Sequence, residues 1–578
     1  DTGLDFTVNG LSVLRIEAST NDAAPNLIGG SAANAVANGV VGGFIGGGGN
    51  VSNPNRVMAD YASVLGGFGN IASGDYSIAM GRNSTASGNT AIAMGYASTA
   101  SGNSSTAIGH ANMASGDYST ALGRETTASS NHSVAIGFGN TASGFAATAL
   151  GVGNFASGRY STALGYGTTA SGTNSTALGF TTTASGEYST ALGYDTTASG
   201  NTAIALGNNS IASGVYSTAL GFYTTASSNS STALGDFTIA SGIASTAMGT
   251  STRARGEFST AMGSTTTASN LASTAMGANT VARGNYATAM GQNSDASGSR
   301  STAMGDSTAS GSYSLSAGFH PVASGNYSVA LGNEASASGE ASLAVGDNTV
   351  ASGNFSVALG FEATASGIAS LSAGDNTVAG GLGSVALGFG AAANSNYSCA
   401  LGSRSIANHA GAFVWGDSSA GNIASAVANS VTMRAAGGYR LYSNAGGTVG
   451  ASLGPNATAW GVLSDRNAKK DFAPVDAVAV LEKLAGMPIT QWHYNWETSE
   501  TTPHIGPMAQ DFKAAFYPGS DDKSITTLEA DGVAFAAIQG LNQKLEATRA
   551  ENAELKQQNQ TMERRLERLE QLLAKPTK

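Results

Sequence analysis

Lysine is missing from the first 463 of 578 residues, and the whole chain holds one Cys and 10 Pro. Only 11% of residues are charged, where globular domains carry about a quarter. One Cys excludes a disulfide framework and a Cys-based zinc site. So few Pro, with Gly not recurring at every third residue, exclude a collagen triple helix. A net charge of −11 provides no basic footprint for nucleic acid or anionic lipid. No apolar run reaches 18 residues, so no transmembrane segment is expected. The six His (110, 132, 320, 409, 493, 504) show no metal-ligand spacing, and no metal or cofactor is expected. Asp1 is not an initiator Met and no targeting segment is visible, which fits a removed signal peptide as well as a chain that never had one.

What is present is glycine, 79 residues of it, in a chain that is 41% hydrophobic and so not of disordered composition. The averages hide a boundary. Up to Leu463 there are 12 Arg and 20 acidic residues; the remaining 115 residues hold 14 basic and 17 acidic ones, including all nine Lys. Two differently built segments meet near residue 463.

The first segment is a repeat. Pentads such as Ser161-Thr-Ala-Leu-Gly165 recur, each followed by Thr-Thr-Ala-Ser-Gly or a variant. The closing glycine falls every 14 residues from Gly67 to Gly305, one unit is a residue short (Gly305 to Gly318), and the period resumes to Gly416. Period-2 alternation within each unit reads as two short strands joined by turns. Stacked units give a parallel β-solenoid, roughly 120 Å long at about 4.7 Å per rung. The interior of so short a coil is expected to hold one row of Leu or Met and one of Thr or Val. A roll this thin leaves a sheet face uncovered, and identical rolls around an axis are the cover expected, three chains being the leading number. Near-identical rungs also make register slips nearly isoenergetic.

The Ser-x-Ala-x-Gly…Ala-Ser-Gly pattern over 43–416 resembles the left-handed parallel β-roll heads of trimeric autotransporter adhesins. That resemblance implies a homotrimeric surface fibre. Those adhesins end in a membrane β-barrel anchor, and this chain does not show one. Cys399 occupies a slot filled by Val or Thr elsewhere, read as a small buried hydrophobe. Phe413 and Trp415 in the apolar slots of the last regular unit suggest a capping rung. Triplets such as Thr181–Thr183 and Thr265–Thr267 offer either a solvated β-surface or an ice- or glycan-binding array.

Residues 1–42 read as a β capping or joining module, with two strands around an Asn9-Gly10 turn. Residues 417–463 lose the period and read as a β-rich neck. From Ser464 the texture becomes α/β: a helix over Val475–Leu484, strand over 488–492 and 493–496, and a helix near 510–516. From Ile538 a 3-4-3-4 apolar seam runs through Leu541 and Leu545 to Leu573, a coiled coil over 538–578 in which Asn552 and Asn559 set the register.

Ser464-Asp-Arg-Asn-Ala-Lys469, His504-Ile-Gly506 and the terminal seam together resemble the endosialidase-type intramolecular chaperone domain, which closes many phage tail spikes and fibres. The resemblance implies that residues 464–537 help three chains assemble and then cut the chain before the serine with a Ser/Lys dyad. Carried onto this chain, the scissile bond is Leu463–Ser464, the catalytic residues are Ser464 and Lys469, and Asp465 and His504 support the site. Pro507 and Asp511 depart from the residues usual in that stretch. Without the resemblance, Ser464 reads as a helix N-cap with Asp465 favouring the first turn. A lysine acts as a base near neutral pH only where burial disfavours its charged form.

The sequence therefore leads to a trimeric, mainly β fibre on a bacterial surface or phage tail, extracellular, with an unknown host-surface receptor or glycan as partner. The alternatives are a tail-spike glycanase and an ice- or glycan-binding solenoid. A glycanase needs paired carboxylates on one groove, and spacings such as Asp195 to Asp236 single out no pair.

Overall fold

The computed structural model describes residues 3–18, 24–516 and 521–574. It divides into two compact units, Asp1–Arg434 and Ala435–Lys578.

The first unit is mainly a parallel β-solenoid. In a typical coil, Thr162–Tyr166 and Thr169–Ala170 are the two strands. Thr162 pairs with Thr176 and Gly165 with Gly179, while Thr169 pairs with Thr183. Long strands therefore stack only on long strands and short on short, forming two continuous parallel ladders. The turns also ladder: Thr181 N donates to Tyr166 O and Asn174 N to Arg159 O, both at 2.8 Å. Each turn is closed by a residue with left-handed backbone, here Asn174 (φ 56°) and Thr181 (φ 51°). That conformation costs an L-residue about 1–2 kcal/mol, and ladder hydrogen bonds hold it.

The glycine of the pentad has a stricter cause. Gly165 sits at φ 133°, and a Cβ there would collide with the carbonyl oxygen of Gly179 on the next rung.

The interior is narrower than the sequence reading expects. Ser161, Ala163, Thr168 and Ala170 are fully buried, so the coil is filled by hydroxymethyl and methyl groups. Two strands joined by such short turns lie too close to hold a leucine between them. Leu, Met, Thr and Val of the second and fourth pentad positions instead form rows on the outer face. Leu150 remains 36% exposed and Met248 38%. Cys399 lies in the same outer row, stacked between Val385 and Phe413. It is half-buried, and burial pushes its thiol up.

Asparagine is the polar specialist of this interior. Asn154 Nδ2 donates to Leu150 O (2.9 Å) and Gly165 O (2.8 Å), and its Oδ1 accepts from Thr168 N (2.9 Å) and Thr168 Oγ1 (2.6 Å). Thr182 and Thr196 at the same slot leave their hydroxyls without a partner. At the edge, Tyr166, Phe180 and Tyr194 stack rung on rung at 4.8 and 5.1 Å, and Arg82 lies over both Phe68 (5.0 Å) and Tyr96 (5.2 Å).

The ends of the ladder lie outside the regular period. Leu4–Val8 and Leu11–Glu17 form an antiparallel hairpin whose turn residues Asn9 and Gly10 both have positive φ. Leu11–Glu17 pairs antiparallel with Asn26–Gly29, which starts the parallel stack at Phe44. In the 13-residue unit the two strands fuse into Thr302–Ala309, because the residue that would turn the chain is missing. Phe413–Trp415 does not end the stack. Val431–Arg434 adds another strand to it, and Arg434 Nε meets Asp417 Oδ1 at 2.9 Å.

The second unit opens with an antiparallel sheet of Tyr439–Tyr442, Gly450–Leu453 and Gly461–Val462. Helix α1 (Ala477–Gly486) is capped by Asp476, whose side chain accepts from Ala479 N. Thr490–Trp492 pairs antiparallel with His504–Gly506, and α2 (Ala509–Phe516) follows. Helix α3 runs over 47 residues, Thr527–Leu573. It starts before the apolar seam because Thr526 caps it: Thr526 Oγ1 accepts from Glu529 N (3.3 Å) and donates to Glu529 Oε2 (2.9 Å). Met487, Phe512 and Val533 make a small core with Val480, Leu484, Phe516 and Ile525. Gly540 lets α3 approach α1 closely, since a Cβ there would strike Ala477 O. From Leu541 to Ala574 every residue is exposed. Among the described residues no helix is long and apolar enough to cross a membrane.

Candidate functional site

The sheet of the second unit delivers the chain to its composition boundary. Gly461–Val462 pairs with Ser452 and Ala451, and Leu463 and Ser464 leave it at once. A groove of about 340 Å³, lined by Arg440, Tyr442, Ser452, Val462, Leu463 and Ser464, runs along this edge.

Asp465 then shapes the backbone. Its carboxylate accepts from Asn467 N (2.9 Å) and Asn467 Nδ2 (3.2 Å), capping one 3-10 turn at Arg466–Ala468. The cap is thus Asp465 rather than Ser464, which leaves the serine hydroxyl free for another partner. After the turn the backbone is extended at Lys469 (φ −115°, ψ 152°) and Lys469 N bonds Arg466 O. This single turn folds the lysine back over the serine: Lys469 Nζ donates to Ser464 Oγ at 2.8 Å. A hydroxyl at hydrogen-bond distance from an amine is the geometry of a nucleophile beside its base.

The pair is open to water. Every residue from 455 to 476 is exposed, and Leu463 is 45% exposed. Trp460, Val462, Phe472 and Val475 are exposed apolar side chains in the same stretch.

His504 stands in a different setting. Register pairing places it opposite Trp492, on whose indole it stacks at 4.6 Å, with Tyr494 edge-on at 5.4 Å. Its Nε2 meets Glu497 Oε1 at 3.0 Å. That hydrogen bond, with a second from Tyr494 N, holds the Glu497 carboxyl below the usual carboxylate range. Among the described residues no hydrogen bond, ion pair or ring contact joins His504 to Ser464 or Lys469. Asn552 and Asn559 lie exposed on α3, Asn552 donating to Thr548 O at 2.9 Å. Glu497 was not anticipated, and no local motif points to it. Among the described residues no cluster of three or more His, Cys, Asp or Glu could hold a metal ion.

The architecture now has counterparts among known families. The YadA head domain repeat matches successive stretches from residue 67 to residue 405, together more than half of the chain, and the chain belongs to that family. The chaperone of endosialidase family matches residues 464–519, beginning at Ser464 itself. No curated protein matches the chain. Head repeats of the trimeric autotransporter adhesin kind, followed by a chaperone domain, mark a fibre of the adhesin or tail-fibre type.

Proposed function

We propose that three copies of this chain assemble into a surface fibre whose C-terminal domain drives assembly and then cuts the Leu463–Ser464 bond. The observation that carries this reading is the 2.8 Å contact between Lys469 Nζ and Ser464 Oγ, formed at the first residue of the chaperone match.

Three chains are favoured by surfaces that one chain leaves bare. The Leu/Met row of the solenoid bears no charge along its length, and burying what remains exposed of each leucine is worth roughly 0.5–1 kcal/mol. Repeated over successive rungs, that is ample to hold rolls together. The seam of α3 is exposed as well, with Leu555 at 48%; a parallel three-helix coil covers it, and Asn552 and Asn559 then oppose slippage by a heptad. The division of labour follows the sequence with one shift: a capping module at the N-terminal end, the roll carried past 416 to Arg434, a shorter neck up to 463, the chaperone over 464–537 and the coiled coil over 538–578.

In the cut, the free amine of Lys469 takes the proton of Ser464 Oγ, and the oxygen attacks the carbonyl carbon of Leu463. The C–N bond breaks as that proton passes to the departing nitrogen, which becomes the amino terminus of Ser464. Leu463 is left as an ester on Ser464 Oγ. Water hydrolyses the ester, regenerating the hydroxyl and giving Leu463 a carboxylate. The step needs unprotonated lysine, favoured by burial; assembly supplies that burial and so ties the cut to correct folding. Asp465 acts by holding the 3-10 turn. Once the chaperone has left, unfolding lacks the nucleus that could be re-formed, which gives the fibre kinetic stability.

The fibre is extracellular, on a cell or a virion, and meets a host-surface receptor or glycan. The threonine triplets lend little to an ice-binding array, since Thr182 and Thr266 point into the interior. Denaturing electrophoresis tests the cut. Wild type separates into fragments of 463 and 115 residues and Ser464→Ala stays whole; a whole wild-type chain removes the self-cleavage reading.

A further inference from the structure

We propose that the cleavage site is completed across the subunit boundary: the Trp492–His504 face of one chain covers the Ser464–Lys469 dyad of its neighbour. This rests on the assembly and self-cleavage just described and says which surface performs the burial.

The dyad has no cover of its own. It sits in a stretch exposed from residue 455 to 476, with water free to reach both side chains. The same stretch displays Trp460, Leu463 and Phe472, an apolar surround awaiting a complement.

The second unit carries such a complement elsewhere. Tyr494 and Trp496 stack on each other at 4.5 Å, yet Trp496 is 78% exposed, and Ile505 beside His504 is 72% exposed. These rings pack among themselves rather than into the core of Met487, Phe512 and Val533. Within them His504 is rigidly presented, with its ring on Trp492 and Nε2 at Glu497. Its Nδ1 makes no hydrogen bond among the described residues. The indole Nε1 of Trp492 is buried and finds no acceptor among the described residues, an uncommon state for a buried donor.

Symmetry joins the two patches. A ring of three identical chains needs a heterologous contact, one patch meeting a different patch on the next chain, and three such contacts close. The exposed seam of α3 brings copies side by side, so each chain offers one dyad and one aromatic face. Seated together, the rings exclude water from Lys469, and Nδ1 of His504 of the partner subunit becomes a hydrogen-bonding group at the dyad. Glu497 is a positioning residue that fixes the imidazole. An uncut monomer and a prompt cut after assembly then have one cause.

Complementation decides it. Two differently tagged full-length chains are made, Ser464→Ala and His504→Gln, and expressed singly and together. Each alone stays whole. In doubly tagged assemblies purified through both tags, about two thirds of the His504→Gln chains are cut, because a lone His504→Gln chain always has a Ser464→Ala neighbour on the required side and one of two such chains in a ring does. The Ser464→Ala chains stay whole. No cutting in such mixed assemblies, beside a wild type that is cut, overturns the arrangement across chains. Cutting of His504→Gln alone at the wild-type rate overturns the role of the imidazole. A wild type that is never cut fells the underlying reading instead. Glu497→Gln gives a further readout: the pH profile of cutting shifts while the assembled mass stays the same; an unchanged profile contradicts the positioning role.

Discussion

Leucine does opposite work in the two units. In the solenoid, Leu164 pairs with Leu178 as Leu178 pairs with Leu192, so one rung cannot be told from the next. On α3 the leucines are interrupted by Asn552 and Asn559, and a heptad slip of one helix against another sets an Asn against an apolar side chain. The solenoid is thus a structure of high continuity and no address, and the C-terminal unit is one of little core and a unique address. A chain that repeats needs a segment that does not, and the composition boundary at residue 463 divides the two.

The comparison breaks most completely at the seam. Leu555→Asp with Leu566→Asp removes the addressing element, and we expect no discrete trimer by mass photometry and cutting below detection on denaturing gels, although the solenoid sequence is untouched.

Next in size is a contrast within one pentad. Gly179→Val places a Cβ against Gly193 O at φ 132° and should cost ~3 kcal/mol or more, breaking the ladder locally. Leu178→Ala, one residue away on the outer face, should leave the circular dichroism of the chain unchanged and weaken only its association. Equal losses of secondary structure would contradict the assignment of inside and outside.

A smaller effect belongs to the interior asparagines. Asn154→Ala leaves the carbonyls of Leu150 and Gly165 without their donor and should destabilise by about 1–3 kcal/mol. Thr182→Ala, which removes a hydroxyl that has no partner, should be close to neutral in the same denaturant titration.

Much of this was legible in the sequence. The 14-residue glycine register and the Asn9-Gly10 hairpin follow from local spacing, which fixes local geometry, whereas the pairing of Ser464 with Lys469 was implied by the resemblance alone. The side of the strand that faces inward did not. Alternation tells which residues share a face, and hydrophobicity favoured Leu over Ala, but the width of the coil decides and excludes the larger side chain. The extension of the stack to Arg434 was hidden because its last step, from Phe413 to Val431, breaks the period. Helix α1 was displaced by two residues, since Asp476 caps it and Val475 stays outside. Glu497 escaped because its partner is reached across a hairpin.

The central claim is that both units are finished only by further copies of the same chain. Native mass measurement of the Ser464→Ala chain tests it most directly, since that chain stays whole. The account predicts one species of three 57.1 kDa chains and little monomer; a stable, soluble 57.1 kDa monomer with its solenoid folded would contradict it.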